Sequence, residues 1–252
     1  MIEIFILSLI QGITEFLPIS SSSHLVLASE YLNFENKNLS IDVSLHIGSF
    51  FAVIFYFYKE IISCFENKDL FLKICISSLP VILIGFFLVK TNMIDKVRNL
   101  ETIAWSTIIF GILLLVSDKF KLKNNIEKNF TYKSAIFIGI LQILSLIPGV
   151  SRSGIAITAA RILNFKRVDS AKISFLLSIP ILGAVSIFGI KNIILSDNIN
   201  FTNLNLISIF LSFFFSFITI KYFLYYINKF NLSIFAYYRI ILGLILLILN
   251  YL

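Results

Sequence analysis

Charge is scarce in this 252-residue chain: Asp, Glu, Lys and Arg make up 14% of it, against about a quarter in a soluble domain. So few ionic groups cannot cover a water-facing globule. With 58% hydrophobic residues and a mean hydropathy of +0.93, the chain reads as an all-α integral membrane protein. Cysteine is also scarce. Cys64 and Cys75 stand at no metal-ligand spacing, which excludes a cysteine metal site and a disulfide framework. The N-terminus lacks a basic region and a small-residue cleavage site ahead of its first polar cluster, so no removable signal peptide is expected. Neither a Walker-type loop nor an aspartate-rich metal motif is present, and nucleotide hydrolysis has no support. The net charge of +7 does not point to nucleic acid, because the lysines are interspersed with apolar runs rather than gathered in a patch.

What the chain does have is apolar length. Six stretches, at 41–58, 70–89, 103–116, 173–190, 204–224 and 234–249, are predicted to cross a bilayer. Two more, at 4–32 and 135–163, are apolar but broken in the middle by Pro18 and Pro148, each followed by hydroxyl residues. A broken polar segment survives at membrane depth only where it is buried in protein or lines a wet cavity, so both are expected to be re-entrant hairpins. The two broken segments resemble each other. Gln11 and Pro18 with Ser20–Ser23 match Gln142 and Pro148 with Ser151 and Ser153; Leu32-Asn33-Phe34 matches Leu163-Asn164-Phe165, and Ala52-Val53 matches Ala184-Val185. The offset stays near 131 residues throughout. A single membrane domain of two repeats follows, one at about 1–117 and the other at about 134–252. Each holds one hairpin and three spans. Three is odd, so the second repeat enters inverted and the hairpins meet near the midplane. Lys59, Lys68, Lys119, Lys121, Lys123, Lys128, Lys133, Lys166, Arg167, Lys172 and Lys229 then share one side, expected to be cytoplasmic.

Two polar clusters interrupt the apolar background. In the first, Gln11 and Glu15 sit one helical turn apart and Ser20, Ser21, Ser22, Ser23 and His24 follow Pro18. A carboxylate inside a bilayer must be paired, protonated or bound to a cation. Glu15 is therefore a candidate ligand, with Gln11, for Mg²⁺ or Ca²⁺; a neutral acid bonded to a neighbouring helix is the alternative. The serines can cap the next helix, and those not needed for capping can hold phosphate oxygens at its N-terminus. Ser21 or His24 is the candidate nucleophile, or either directs a water. His46 lies in a longer apolar span and is read as a helix-contact histidine. The second cluster is Pro148-Gly149-Val150-Ser151-Arg152-Ser153-Gly154, where an anion can meet backbone donors, Ser151, Ser153 and a guanidinium. A plain ion pair between Arg152 and Glu15 is the alternative. Taken together, these are the parts of a phosphoryl-transfer site.

The runs Gln11-Gly-Ile-Thr-Glu15-Phe-Leu-Pro-Ile-Ser-Ser, His24 and Pro148-Gly-Val-Ser-Arg-Ser-Gly154, with Ser174-Phe-Leu-Leu-Ser-Ile-Pro180, resemble the bacterial undecaprenyl-diphosphatases, the bacitracin-resistance membrane phosphatases. The resemblance covers nearly the whole chain. It implies an inverted-repeat helical fold in the cytoplasmic membrane, a homodimer, and a site open to the outer face. It also implies cleavage of a polyprenyl diphosphate to the monophosphate for cell-wall precursor recycling, with bacitracin resistance as a consequence. Glu15 matches the family's essential glutamate, Gln11 its glutamate-or-glutamine position, Ser21 and His24 the candidate nucleophile and its neighbour, and Arg152 the phosphate-binding arginine. Ser23 stands where a glycine is usual. A carrier that moves polyprenyl phosphate across the bilayer is the competing class, since inverted repeats with broken helices are also a transporter architecture.

Overall fold

A computed structural model describes residues 1–31, 39–66, 68–91, 93, 99–195 and 203–251. The side chains of residues 22, 26, 29–31, 64–66 and 195 lie outside that description. So do the repeat match at Leu32-Asn33-Phe34 and the basic residues Lys37, Lys96 and Arg98.

The chain is helical, and among the described residues its only β pairing is an isolated bridge between Asn124 and Phe165. A first hairpin consists of α1 (Ile2–Thr14) and α2 (Ser21–Tyr31), followed by α3 (Leu39–Tyr56), α4 (Tyr58–Glu66), α5 (Lys68–Lys90) and α6 (Leu100–Asp118). After the short α7 (Ile126–Asn129) comes a second hairpin. It has α8 (Tyr132–Gln142), a 3₁₀ turn at Ile143–Leu146, and α9 (Arg152–Ile162). Then follow α10 (Arg167–Leu195), α11 (Asn203–Lys229) and α12 (Ser233–Tyr251). Six helices, α3, α5, α6, α10, α11 and α12, are long and apolar enough to span a bilayer, as the sequence predicts. At about 1.5 Å per residue the shortest, of 18 residues, reaches roughly 27 Å.

Proline sets where the first hairpin turns. A proline ring at position 18 opposes the carbonyl four residues back, on Thr14, and α1 ends there. Glu15 still donates its backbone N–H to Gln11 O at 3.0 Å, so the Gln11–Glu15 face survives one residue past the helix. Each hairpin then re-enters helix through a serine in the left-handed region, Ser20 at φ 76° and Ser151 at φ 69°.

The hairpins pack crosswise: α1 lies against α11, and α8 lies against α5. Small residues allow the close approach. A Cβ on Gly12 would lie 2.9 Å from the Ser216 nitrogen, and one on Gly139 would meet Ser77 O at 2.6 Å. Between α3 and α11, Ser49 bonds Ser212 and Ser216, and Asn205 bonds Ser44, so polar atoms turn inward. Large apolar side chains such as Phe87, Ile187, Phe210 and Ile248 face outward. At the lysine-rich end, the buried Asp118 carboxylate accepts from Arg167 Nε at 2.7 Å and from Leu232 N at 3.0 Å. That one side chain ties together the ends of α6, α10 and α12, and Arg161 on α9 pairs with it at 3.6 Å.

Candidate active site

The two hairpin tips meet around one carboxylate. Glu15 Oε1 accepts from Arg152 Nη2 at 2.7 Å. Its Oε2 accepts from Ser21 Oγ at 2.6 Å and from Gln11 Nε2 at 3.1 Å. Glu15 is 7% exposed, deep enough that a charge without partners would be costly; with three donors around it the carboxylate is accommodated. Arg152 uses only Nη2 here, and its other guanidinium nitrogens have no partner among the described residues, which leaves planar donors for a phosphate.

These groups open onto a cavity of about 370 Å³ lined by Thr14, Glu15, Ser20, Ser21, Ser151 and Arg152 on its polar side. Apart from His46 and Ser145 the remaining wall is apolar, with Val81–Val89 of α5 facing Ile181–Phe188 of α10 and the Phe86 and Phe188 rings in edge contact at 5.9 Å. Both of those helices contain a proline, Pro80 and Pro180, at the level where the wall begins. The result is a polar head beside an apolar trough. That shape suits a molecule with an anionic end and a hydrocarbon tail.

The other residues singled out from the sequence do not all reach the cavity. Ser20 and Ser151 line the cavity, and Ser151 also caps α9 by accepting from Gly154 N at 3.1 Å. Ser153 and Gly149 sit behind it: Ser153 Oγ donates to Leu17 O at 2.7 Å, joining the hairpins, while Gly149 adopts φ 94° against Ser106. Ser22 has its side chain outside the description. His24 is not on the cavity wall. Its Nδ1 lies 2.7 Å from Ser20 O, and its Nε2 lies 2.6 Å from Tyr238 OH on α12. Ser23 is buried beside them, its hydroxyl bonded to that of Ser20 at 2.9 Å.

Two groups at the site were given no site role from the sequence. His46, read there as a helix contact, lines the cavity and bonds Gln11 Nε2 through its Nδ1 at 3.0 Å; an ionisable residue inside an apolar span was the available signal. Arg239 on α12 is fully buried and donates to Pro18 O at 3.4 Å and to Gly149 O and Val150 O, both at 2.9 Å. It holds both hairpin tips through their backbones, and no sequence motif marks such acceptors.

A divalent cation takes oxygen ligands, and the donor set can be tested for one. Among the described residues, Gln11 Oε1 is buried without a partner, Glu15 is the one carboxylate beside it, and no group of three or more His, Cys, Asp or Glu residues gathers. One carboxylate and one amide oxygen suffice for an ion held mainly by substrate phosphates, so the residues fit such a group.

The bacitracin resistance protein BacA family model matches residues 4–245. An undecaprenyl-diphosphatase from Pelagibacter ubique is 49% identical over 251 residues, covering 99% of this chain and 98% of that protein. One from Saccharophagus degradans is 39% identical, covering 94% and 93%. Another from a Jannaschia species is 34% identical, covering 98% of both. With its hairpin tips joined around Glu15 and matches that run nearly end to end, this chain belongs to the BacA family of bacitracin-resistance proteins.

Proposed function

We propose that the cavity between the hairpins is where this chain, an undecaprenyl-diphosphatase, cuts its lipid diphosphate to the monophosphate and inorganic phosphate. The observation that carries the assignment is the network of Ser21, Arg152 and Gln11 on the Glu15 carboxylate. In this reading Ser21 Oγ attacks the terminal phosphorus and its proton passes to Glu15, 2.6 Å away. The bond from that phosphorus to the bridging oxygen breaks, and its electron pair leaves with the polyprenyl monophosphate. The departing monophosphate takes that proton from Glu15, which is a carboxylate again. Water then attacks the phosphoserine phosphorus, passing a proton to Glu15; the Oγ–P bond breaks, Ser21 Oγ takes that proton back, and phosphate departs. Arg152 offers its unpaired nitrogens to the phosphoryl oxygens as charge develops on them. His24 is a positioning residue that fixes the left-handed Ser20 turn ahead of the nucleophile. A divalent cation held by Gln11 and Glu15 would neutralise diphosphate charge when bound.

The finer architecture belongs to the same proposal. Left-handed serines 131 positions apart and the crosswise packing of the hairpins support an inverted repeat within one membrane domain. The trough runs along α5 and α10 toward the ends that carry Lys90 and Lys191, away from the lysine-rich end. By the positive-inside rule the cavity then opens outward. A homodimer is part of the reading as well, to be checked by cross-linking in membranes. A carrier would use Arg152 but has no need of a serine hydroxyl bonded to a carboxylate, so the hydrolytic reading is favoured.

The test is phosphate release from a long-chain polyprenyl diphosphate, with and without EDTA, for wild type and Ser21→Ala. Release that requires a divalent cation and is lost in the variant is the expected result. A substrate labelled in its terminal phosphate should leave label on Ser21 after acid quenching. Full activity in Ser21→Ala would remove the serine from the mechanism, and undiminished release in EDTA would remove the cation.

A further inference from the structure

Glu15 dictates how Gln11 sits. Its ion pair with Arg152 marks it as a carboxylate, and a carboxylate only accepts hydrogen bonds. The Gln11 atom 3.1 Å from Oε2 is therefore the amide nitrogen; turning the amide over would set its oxygen against the carboxylate. The second N–H of that nitrogen runs to His46 Nδ1 at 3.0 Å. Because the amide donates, Nδ1 accepts, and the neutral ring carries its proton on Nε2. That Nε2 has no partner among the described residues, and His46 lines the same cavity as Ser21, Glu15 and Arg152. A donor left open in an apolar-walled cavity is costly until an acceptor arrives.

We propose that His46 is a further catalytic residue, donating from Nε2–H to a non-bridging oxygen of the phosphoryl group being transferred, in the tautomer that Gln11 imposes. The assignment rests on the phosphatase reading above. His46 acts as a neutral donor and keeps its proton, because losing it with Nδ1 already bare would leave an imidazolate. Arg152 and His46 thus hold phosphoryl oxygens from different helices while Glu15 takes the Ser21 proton. Gln11 is the positioning residue that joins the carboxylate to the imidazole: one nitrogen orients both. The bond gains strength as charge builds on the phosphoryl oxygens, so its contribution falls on turnover more than on binding.

The experiment is phosphate release from a long-chain polyprenyl diphosphate by the full-length protein in detergent micelles, for wild type, His46→Ala, His46→Asn and His46→Gln. His46→Ala and His46→Asn should lose about 10- to 100-fold in kcat/KM, mostly in kcat. His46→Gln carries an amide N–H near the position of Nε2 and should stay within about five-fold of wild type. Full kcat/KM in His46→Ala overturns the proposal. A His46→Gln variant as slow as His46→Asn also overturns it, because ring packing rather than the donor would then matter. A common fall in thermal midpoint that tracks activity across all three variants has the same meaning. An inactive wild type overturns the phosphatase reading and the role of His46 with it. Active wild type with indifferent His46 variants leaves that reading standing.

Discussion

Glu15 and Arg152, 137 residues apart in the chain, meet as an ion pair of 2.7 Å that is almost closed to solvent, with side chains 6% and 13% exposed. Each comes from a different hairpin, so the pair is at once a join between hairpins and part of the candidate site. Breaking a buried pair from one side leaves the other charge stranded. Glu15→Gln keeps shape and an acceptor oxygen and should cut phosphate release by about 10³-fold with the helical circular dichroism unchanged. Arg152→Lys keeps the charge without the planar fork and should fall about 10²-fold. Near-normal rates in either variant would remove that residue from the chemistry.

His24 is fixed at both nitrogens. Ser20 O can only accept, so Nδ1 carries the proton and Tyr238 OH donates to Nε2. If its role is to hold the Ser20 turn, His24→Asn, whose amide nitrogen can reach the same carbonyl, should retain more activity than His24→Ala. Tyr238→Phe should cost only a few-fold in kcat. Equal loss in His24→Asn and His24→Ala, with Tyr238→Phe inactive, would instead argue for direct chemistry by the ring.

Arg239 satisfies three carbonyls in the two tips. Arg239→Met strips these buried acceptors of their donor and should destabilise the protein by about 3–5 kcal/mol. The lower midpoint should come with lost turnover, because the tips carry Ser21 and Arg152. Thermal unfolding in micelles alongside the phosphate assay reads both effects.

Gly149 is the tip residue that tolerates no side chain. Its φ of 94° is strained for any L-residue, and a Cβ would overlap Ser106 Oγ and sit 2.6 Å from Ile103 O. Gly149→Ala should push the second tip off α6 and inactivate the protein, whereas Gly183→Ala, where the nearest atom lies 3.4 Å away, should be nearly silent in the same assay.

Six spans and two interruptions were legible because hydropathy and proline act locally, on windows no longer than one helix. The Gln11–Glu15 face was legible for the same reason, since four residues make one turn. His46 was not, because its position depends on how α3 packs beside α1. Tyr238 and Arg239 were hidden for a different reason. Their partners are a histidine more than 200 residues away and backbone carbonyls, which every residue has. The repeat pattern also said less about function than about shape. At its offset Leu146 and Leu177 stand where Glu15 and His46 stand in the first half, and Gln142, opposite Gln11, is buried with both amide atoms unpaired. Only the first half carries the acidic and imidazole groups.

The contacts of Arg239 also order events in time. A ribosome delivers α12 long after both hairpin tips have been made, and until it inserts, the carbonyls of Pro18, Gly149 and Val150 lack the guanidinium that gathers them. A nascent chain that has already placed Glu15, Ser21 and Arg152 in the bilayer is therefore still an unfinished enzyme. Stalled or prematurely terminated products missing α12 would accumulate as inert membrane protein rather than as unregulated lipid phosphatase.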